Sequence, residues 1–152
     1  EEIIKEIFET SKKYSCKITF PEDVLVGKNF DDKSEIKDLS YIKDDDLILD
    51  IGPKTINKIK NIIEISKTIL WNGPAGYFEN INFANGSYEI AKAIINKNTN
   101  KSFYSVVGGG DTIAVINQIN STKNFDFVST AGGAFLEFLE GKELPGIKAL
   151  NS

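Results

Sequence analysis

The sequence predicts an α/β domain built as a doubly wound parallel sheet with helices on both faces. Three observations predict it. A short apolar run that stops at glycine, followed by a helix-patterned segment, recurs four times between Leu47 and Glu140. The runs lack polar alternation, the mark of strands covered on both faces. Their alternation with helices implies parallel strands joined by right-handed crossovers. The glycine clusters then fall at strand C-termini along one edge of the sheet, where open α/β sheets bind ligands.

The elements follow in order. Residues 1–13 carry Ile3, Ile4, Ile7 and Phe8 at helical spacing, with Lys and Glu opposite. Residues 16–20 alternate as a strand that stops at Pro21. Residues 27–46 are the most polar stretch, and Lys43-Asp-Asp-Asp46 reads as a solvated loop or short helix edge. The repeated phrase begins with strand 47–51, Gly52-Pro53 and helix 55–67. It continues with strand 68–71, Asn72-Gly-Pro-Ala-Gly76 and helix 83–97, whose apolar face is Ile90, Ala91, Ile94 and Ile95. Strand 103–107 runs into Gly108-Gly-Gly110 and helix 112–119. Strand 125–128 runs into Ser129-Thr-Ala-Gly-Gly133 and helix 134–140, closed by Gly141 as the residue after the helix.

Composition narrows the function. The 152 residues suit one domain with a real core. A net charge of −4 argues against nucleic acid or an anionic membrane as partner. No apolar run approaches a bilayer span and no signal peptide opens the chain, so cytoplasm is the expected compartment. Cys16 is the only cysteine, which excludes an intrachain disulfide and a thiolate metal site; its apolar neighbours predict a buried small hydrophobe. The absence of histidine removes Ser-His-Asp and Cys-His catalysis and imidazole metal sites. All 18 basic residues are lysine, so the chain lacks the bidentate arginine fork that grips carboxylate or phosphate. With no methionine and a helical start at Glu1, the chain is expected to be a piece of a longer protein.

One stretch raises a question of sign. Val107-Gly-Gly-Gly-Asp-Thr112 has the layout of a backbone phosphate cradle, yet an anion follows the glycines. Either Asp111 is a helix N-cap after a tight turn, or a cation lies between carboxylate and phosphate. Neither well-known phosphate loop fits. No window matches G-x-x-x-x-G-K-[ST], and Ile113 stands where the dinucleotide fingerprint needs a third small residue.

The set of motifs is more specific than any member. Leu49-Asp-Ile-Gly-Pro-Lys-Thr55, Trp71-Asn-Gly-Pro-Ala-Gly-Tyr-Phe-Glu79, Val107-Gly-Gly-Gly-Asp-Thr112 and Val128-Ser-Thr-Ala-Gly-Gly-Ala134 occur in that order, closed by Leu139-Glu-Gly-Lys-Glu-Leu-Pro-Gly146. Together with Phe20-Pro-Glu-Asp23, the series closely resembles the C-terminal nucleotide-binding domain of the phosphoglycerate kinase family. It spans nearly the whole chain and is weakest across residues 27–46.

The resemblance implies an incomplete Rossmann-like domain: residues 1–152 as most of the nucleotide half. The N-terminal, arginine-rich substrate domain and the start of the nucleotide domain, with its G-G-A-K-type motif and catalytic lysine, lie outside this chain. It implies a glycolytic phosphotransferase that moves a phosphoryl group between 1,3-bisphosphoglycerate and MgADP, giving 3-phosphoglycerate and MgATP. The substrates are ADP or ATP with Mg²⁺, and phosphoglycerate through the other domain. The intact enzyme is expected to be a cytoplasmic monomer with no nucleic-acid or membrane partner. This piece alone is expected to be inactive.

The resemblance also assigns residues. Asp111 binds the nucleotide-bound magnesium, and Thr112 contacts phosphate. Gly108, Gly109 and Gly110 allow close backbone approach. Glu79 accepts hydrogen bonds from the ribose hydroxyls, as an acceptor-only carboxylate can. Asn72, Pro74 and Tyr77 line the phosphate path and base pocket, and Leu49 touches the adenine. Gly132 and Gly133, between Ala131 and Ala134, form the helix N-terminus that faces the transferring phosphoryl group. Many members have glycine, histidine and serine where this chain has Ala131, Phe127 and Phe135. Trp71 reads as core and Lys54 as a solvated lysine outside the site. Two alternatives are a nicotinamide-dependent oxidoreductase domain and a non-catalytic nucleotide- or phosphate-binding module.

Overall fold

The computed structural model describes residues 1–99 and 103–151. The elements run α1 (Glu2–Lys13), β1 (Asp23–Gly27), β2 (Glu35–Asp38), β3 (Leu47–Ile51), α2 (Pro53–Ile65), β4 (Thr68–Asn72), α3 (Asn85–Lys97), β5 (Tyr104–Gly108), α4 (Gly110–Gln118), β6 (Phe127–Ser129), α5 (Gly133–Leu139) and α6 (Pro145–Leu150). They form two three-stranded sheets among the described residues, one in the order β2-β1-β3 and one in the order β4-β5-β6.

The second sheet is the predicted parallel one. Strand β4 pairs with β5 from Thr68↔Tyr104 to Asn72↔Gly108, and β5 pairs with β6 from Val106↔Phe127 to Gly108↔Ser129. The first sheet corrects the sequence reading in three places. Residues 47–51 form β3 as expected, but β3 pairs antiparallel with β1. The parallel phrase therefore has three strands, not four. The link from β1 to β3 holds a short strand and no crossover helix, and parallel pairing needs such a crossover. The expected strand at 16–20 is absent. The strand begins after Pro21, because Asp23–Gly27 has partners on both edges and is buried at every position. Glu35–Asp38, inside the polar stretch, supplies one of those partners. Cys16 is exposed, not buried, since it precedes the strand and meets no sheet.

One core ties the helices to the parallel sheet. Ile56 and Ile63 of α2, Ile90, Ala91 and Ile94 of α3, and Val115 and Ile116 of α4 cluster with Trp71, Phe103, Val107 and Phe125. Each fully buried Ile of this kind contributes about 1.5–3 kcal/mol. Trp71 is core, as expected. The opposite face of the same strands carries Leu70, Tyr104 and Phe127, all exposed. The apolar stripe of α1 (Ile3, Ile4, Ile7, Phe8) is exposed as well. The α/β class with a helix-flanked parallel sheet therefore holds, and the helices that bury side chains lie against one face. No helix among the described residues is long and apolar enough to cross a membrane.

Local chemistry explains where α2 starts. Gly52 is extended at the N-cap, and Pro53 occupies the first turn with its φ preset. The carboxylate of Asp23, on β1, accepts hydrogen bonds from the Lys54 and Thr55 N–H groups at 3.0 and 2.8 Å and from the Thr55 hydroxyl at 2.8 Å. Burial works to raise the Asp23 pKa, but these bonds outweigh it and hold the carboxyl below its ordinary value.

Candidate functional site

The site is built on the turns that follow β4, β5 and β6, and on the loop that links β4 to α3. Asn72 ends β4 directly opposite Gly108 of β5. The next residue, Gly73, donates its N–H to Thr112 Oγ1 at 2.6 Å. That bond joins the β4 turn to the first turn of α4. Gly109 is the N-cap of α4 at φ +88, a left-handed conformation that favours glycine. A methyl group there would also come 2.8 Å from Asn72 Oδ1. Gly110 differs: a methyl would meet open space. Nothing within the fold requires glycine at that position.

The structure separates the two readings of Asp111. The N-cap is Gly109, so Asp111 is the second residue of the helix and caps nothing. It is exposed and accepts no hydrogen bond or ion pair among the described residues. Thr112, by contrast, is fully buried and its oxygen already holds the Gly73 N–H, which leaves its hydroxyl proton to donate.

The segment 72–79 is braced from three sides. Trp71 Nε1 donates to Gly73 O at 2.9 Å. Ala75 N–H donates to Ser87 Oγ of α3 at 3.0 Å. Tyr77 N–H donates to Leu49 O of β3 at 2.7 Å. An open depression of about 460 Å³ lies against this segment, lined by Phe30, Ile48, Leu49, Pro74, Gly76 and Tyr77 among others. Three of the predicted residues, Leu49, Pro74 and Tyr77, thus share one apolar hollow. Glu79 is exposed and is not part of that lining.

Gly132 and Gly133 open α5 at the end of β6, exposed, with Gly132 at φ +55. Helix α5 is tied to the β5 turn through Phe135: a methyl on Gly108 would come 2.8 Å from its ring. The predicted residues therefore fall into two groups. Asn72, Gly108, Gly109, Gly110, Asp111 and Thr112, with Gly132 and Gly133 beside them, lie along the ends of the parallel strands. Leu49, Pro74 and Tyr77 line the hollow, and the 72–79 segment connects the two. Lys54 stands apart, paired with Asp38 at 2.6 Å. A larger depression of about 530 Å³, lined by Glu35, Lys37, Asp38, Lys43 and Lys54 among others, contains none of the predicted site residues.

Two contributors escaped the sequence reading. Phe30 packs on Tyr77 with ring centroids 5.0 Å apart, tilted by 57°. An aromatic inside an otherwise polar stretch was the available signal. Asp50 is 2% exposed in β3, beneath the 72–79 segment. Its Oδ2 accepts the Gly86 N–H and its Oδ1 the Ile51 N–H, each at 2.8 Å. Burial raises its pKa to about 6, although those two bonds oppose the shift. An acid within the apolar run Leu47-Ile-Leu-Asp-Ile51 was the signal there.

Comparison with known proteins bears on the chain as a whole. A sequence model of the family described as phosphoglycerate kinase matches residues 1–142. A phosphoglycerate kinase of Zymomonas mobilis is 44% identical over 154 aligned residues, covering 100% of this chain and 39% of that protein. One from Buchnera aphidicola is 48% identical over 149 residues, covering 95% of this chain and 37% of that protein. The structure of phosphoglycerate kinase from Coxiella burnetii superposes with a TM-score of 0.87 at 38% identity, over 97% of this chain and 38% of that one. That from Pyrococcus horikoshii gives 0.80 at 33% identity, over 99% and 36%. This chain thus spans about two fifths of the length of the curated relatives it matches. With a family model matching residues 1–142, near-complete coverage of the chain and a matching backbone, it belongs to the phosphoglycerate kinase family.

Proposed function

We propose that this chain is the C-terminal, nucleotide-binding portion of a phosphoglycerate kinase. The intact enzyme passes a phosphoryl group between the acyl phosphate of 1,3-bisphosphoglycerate and MgADP, yielding 3-phosphoglycerate and MgATP. The single observation that carries the reading is the junction of the Asn72–Gly73 turn with the Gly108–Thr112 turn, which leaves Asp111 exposed and without a partner among the described residues at the strand ends.

The nucleotide lies along that junction. Its polyphosphate runs past Asn72 and Gly108, Gly109 and Gly110, with the Thr112 hydroxyl proton free to donate. Its adenosine sits against Leu49, Pro74 and Tyr77, and Glu79 accepts from the ribose hydroxyls. Asp111 suits Mg²⁺, a hard cation satisfied by one carboxylate together with phosphate oxygens and water. When bound, the metal neutralises charge on the phosphate oxygens. Gly132 and Gly133 present N–H groups, unpaired among the described residues, toward the transferring group. Phosphoryl transfer asks little covalent chemistry of the protein, so these residues act by positioning and by holding charge. The triose phosphate and the catalytic lysine belong to parts of the enzyme beyond these residues. A monomer acting in the cytoplasm accompanies the glycolytic role.

Calorimetric titration of this chain with MgADP tests the reading. Binding is expected, weakened at least tenfold in Asp111→Asn or when EDTA removes the magnesium, with no binding of NADH. NADH binding in place of ADP, or no ADP association at all, refutes it. In the full-length enzyme, Asp111→Asn is expected to lower turnover tenfold or more and to change its magnesium dependence.

A further inference from the structure

We propose that Asp50 is a positioning residue for the nucleotide-facing segment 72–79, acting by fixing the start of α3 beneath it. The inference rests on the nucleotide reading above for its functional consequence, but its geometry stands alone. Asp50 is a buried carboxylate to which no lysine is bonded or paired among the described residues. Its neighbours in β3 are Leu, Ile, Leu and Ile, and an apolar side chain would fill the position without the cost of burying a charge. What the carboxylate does is reach between elements. Oδ2 holds the N–H of Gly86, in the first turn of α3, where a negative charge is favoured by the helix dipole.

The next residue, Ser87, is fully buried and takes the Ala75 N–H on its hydroxyl. Leu49, on the other side of Asp50, takes the Tyr77 N–H on its carbonyl. Residues 49–50 and 86–87 thus form a two-sided clamp on residues 75–77. The clamp is tight: a methyl on Gly76 would come 2.5 Å from Asp50 Oδ1 and 2.6 Å from Leu49 O. A methyl on Gly86 would come within 2.2 Å of the same Oδ1. Pro74, Gly76 and Tyr77 are the wall of the 460 Å³ hollow, so the clamp sets the shape of that wall.

Amide hydrogen exchange on Asp50→Asn tests this. The variant keeps the volume but cannot accept from both amides. Exchange at Ala75 and Tyr77 is expected to speed up at least tenfold, with the β4 and β5 amides unchanged, and MgADP affinity to fall about tenfold. Unchanged exchange at Ala75 and Tyr77 overturns the proposal, as does a uniform rise across the chain, which marks a loss of global stability alone. Asp50→Ser, which removes the carboxylate but leaves the Ser87 and Leu49 acceptors in place, provides the same readout should Asp50→Asn fail to fold. Protection of Ala75 and Tyr77 retained in that variant also overturns it. If the unmodified chain binds no MgADP, the nucleotide reading fails, and the exchange pattern still decides the role of Asp50.

Discussion

Stability is expected to fall as pH rises from 5 to 7, and Asp50 is the cause. The folded-state pKa of Asp50 is raised to about 6 from 3.8 by burial, opposed by the Gly86 and Ile51 amides. Between those values the folded chain holds a proton that the unfolded chain has lost. The favourable contribution is therefore complete below the unfolded value and disappears as pH passes the folded one. Two pH units correspond to about 3 kcal/mol in full, of which about 1 kcal/mol falls between pH 5 and 7. The window is unusually clean because the chain contains no histidine. Asp23, Asp46, Glu89 and Asp126 have pKa values held down, so their contributions are present above the ordinary carboxylate range and are lost only in stronger acid. Urea denaturation followed by the fluorescence of Trp71, the only tryptophan and part of the core, measures the slope. A flat profile from pH 5 to 7, or an equal slope in Asp50→Asn, refutes the reasoning.

Two further substitutions separate fold from function. Gly109→Ala should cost about 1–3 kcal/mol, because it forces a side chain into a left-handed turn against Asn72, and denaturation reads this directly. Gly110→Ala should leave stability unchanged or raise it by about 0.5 kcal/mol. It should nonetheless weaken MgADP binding about tenfold if the polyphosphate approaches that backbone, and undiminished affinity would remove Gly110 from the site. Glu79→Ala should weaken nucleotide binding about tenfold in calorimetry while leaving the denaturation midpoint in place, since the residue is exposed. A shift in stability without a change in affinity would contradict its assignment to the ribose.

Much of the architecture was legible in the chain because its signals are local. Apolar periodicity marks α2, α3 and the parallel strands, since each element must bury one face. Glycine and proline mark where strands give way to helices, since proline presets the first helical turn and glycine tolerates the left-handed turn at Gly109. The motif order from Leu49 to Gly146 was enough to indicate the family. The candidate residues Asn72, Gly108, Asp111 and Thr112 were also nameable, because the motifs that resemble the family carry them in order.

Partnership was not legible. A run such as Leu47–Ile51 announces a strand but carries no mark of direction, so its antiparallel pairing with β1 emerged only when both strands shared a sheet. Cys16 has apolar neighbours, yet exposure depends on which elements lie above it. Asp111 as cap or free carboxylate was decided by a two-residue difference in where α4 begins. The sequence by itself determined the element types from Leu47 to Leu139, the glycine turns and the family. Tertiary structure decided which turns meet, how Thr112 spends its acceptor, and why an acid lies buried at Asp50. Propensity and periodicity act over a few neighbouring residues, whereas pairing, burial and hydrogen-bond partnership depend on residues tens of positions away.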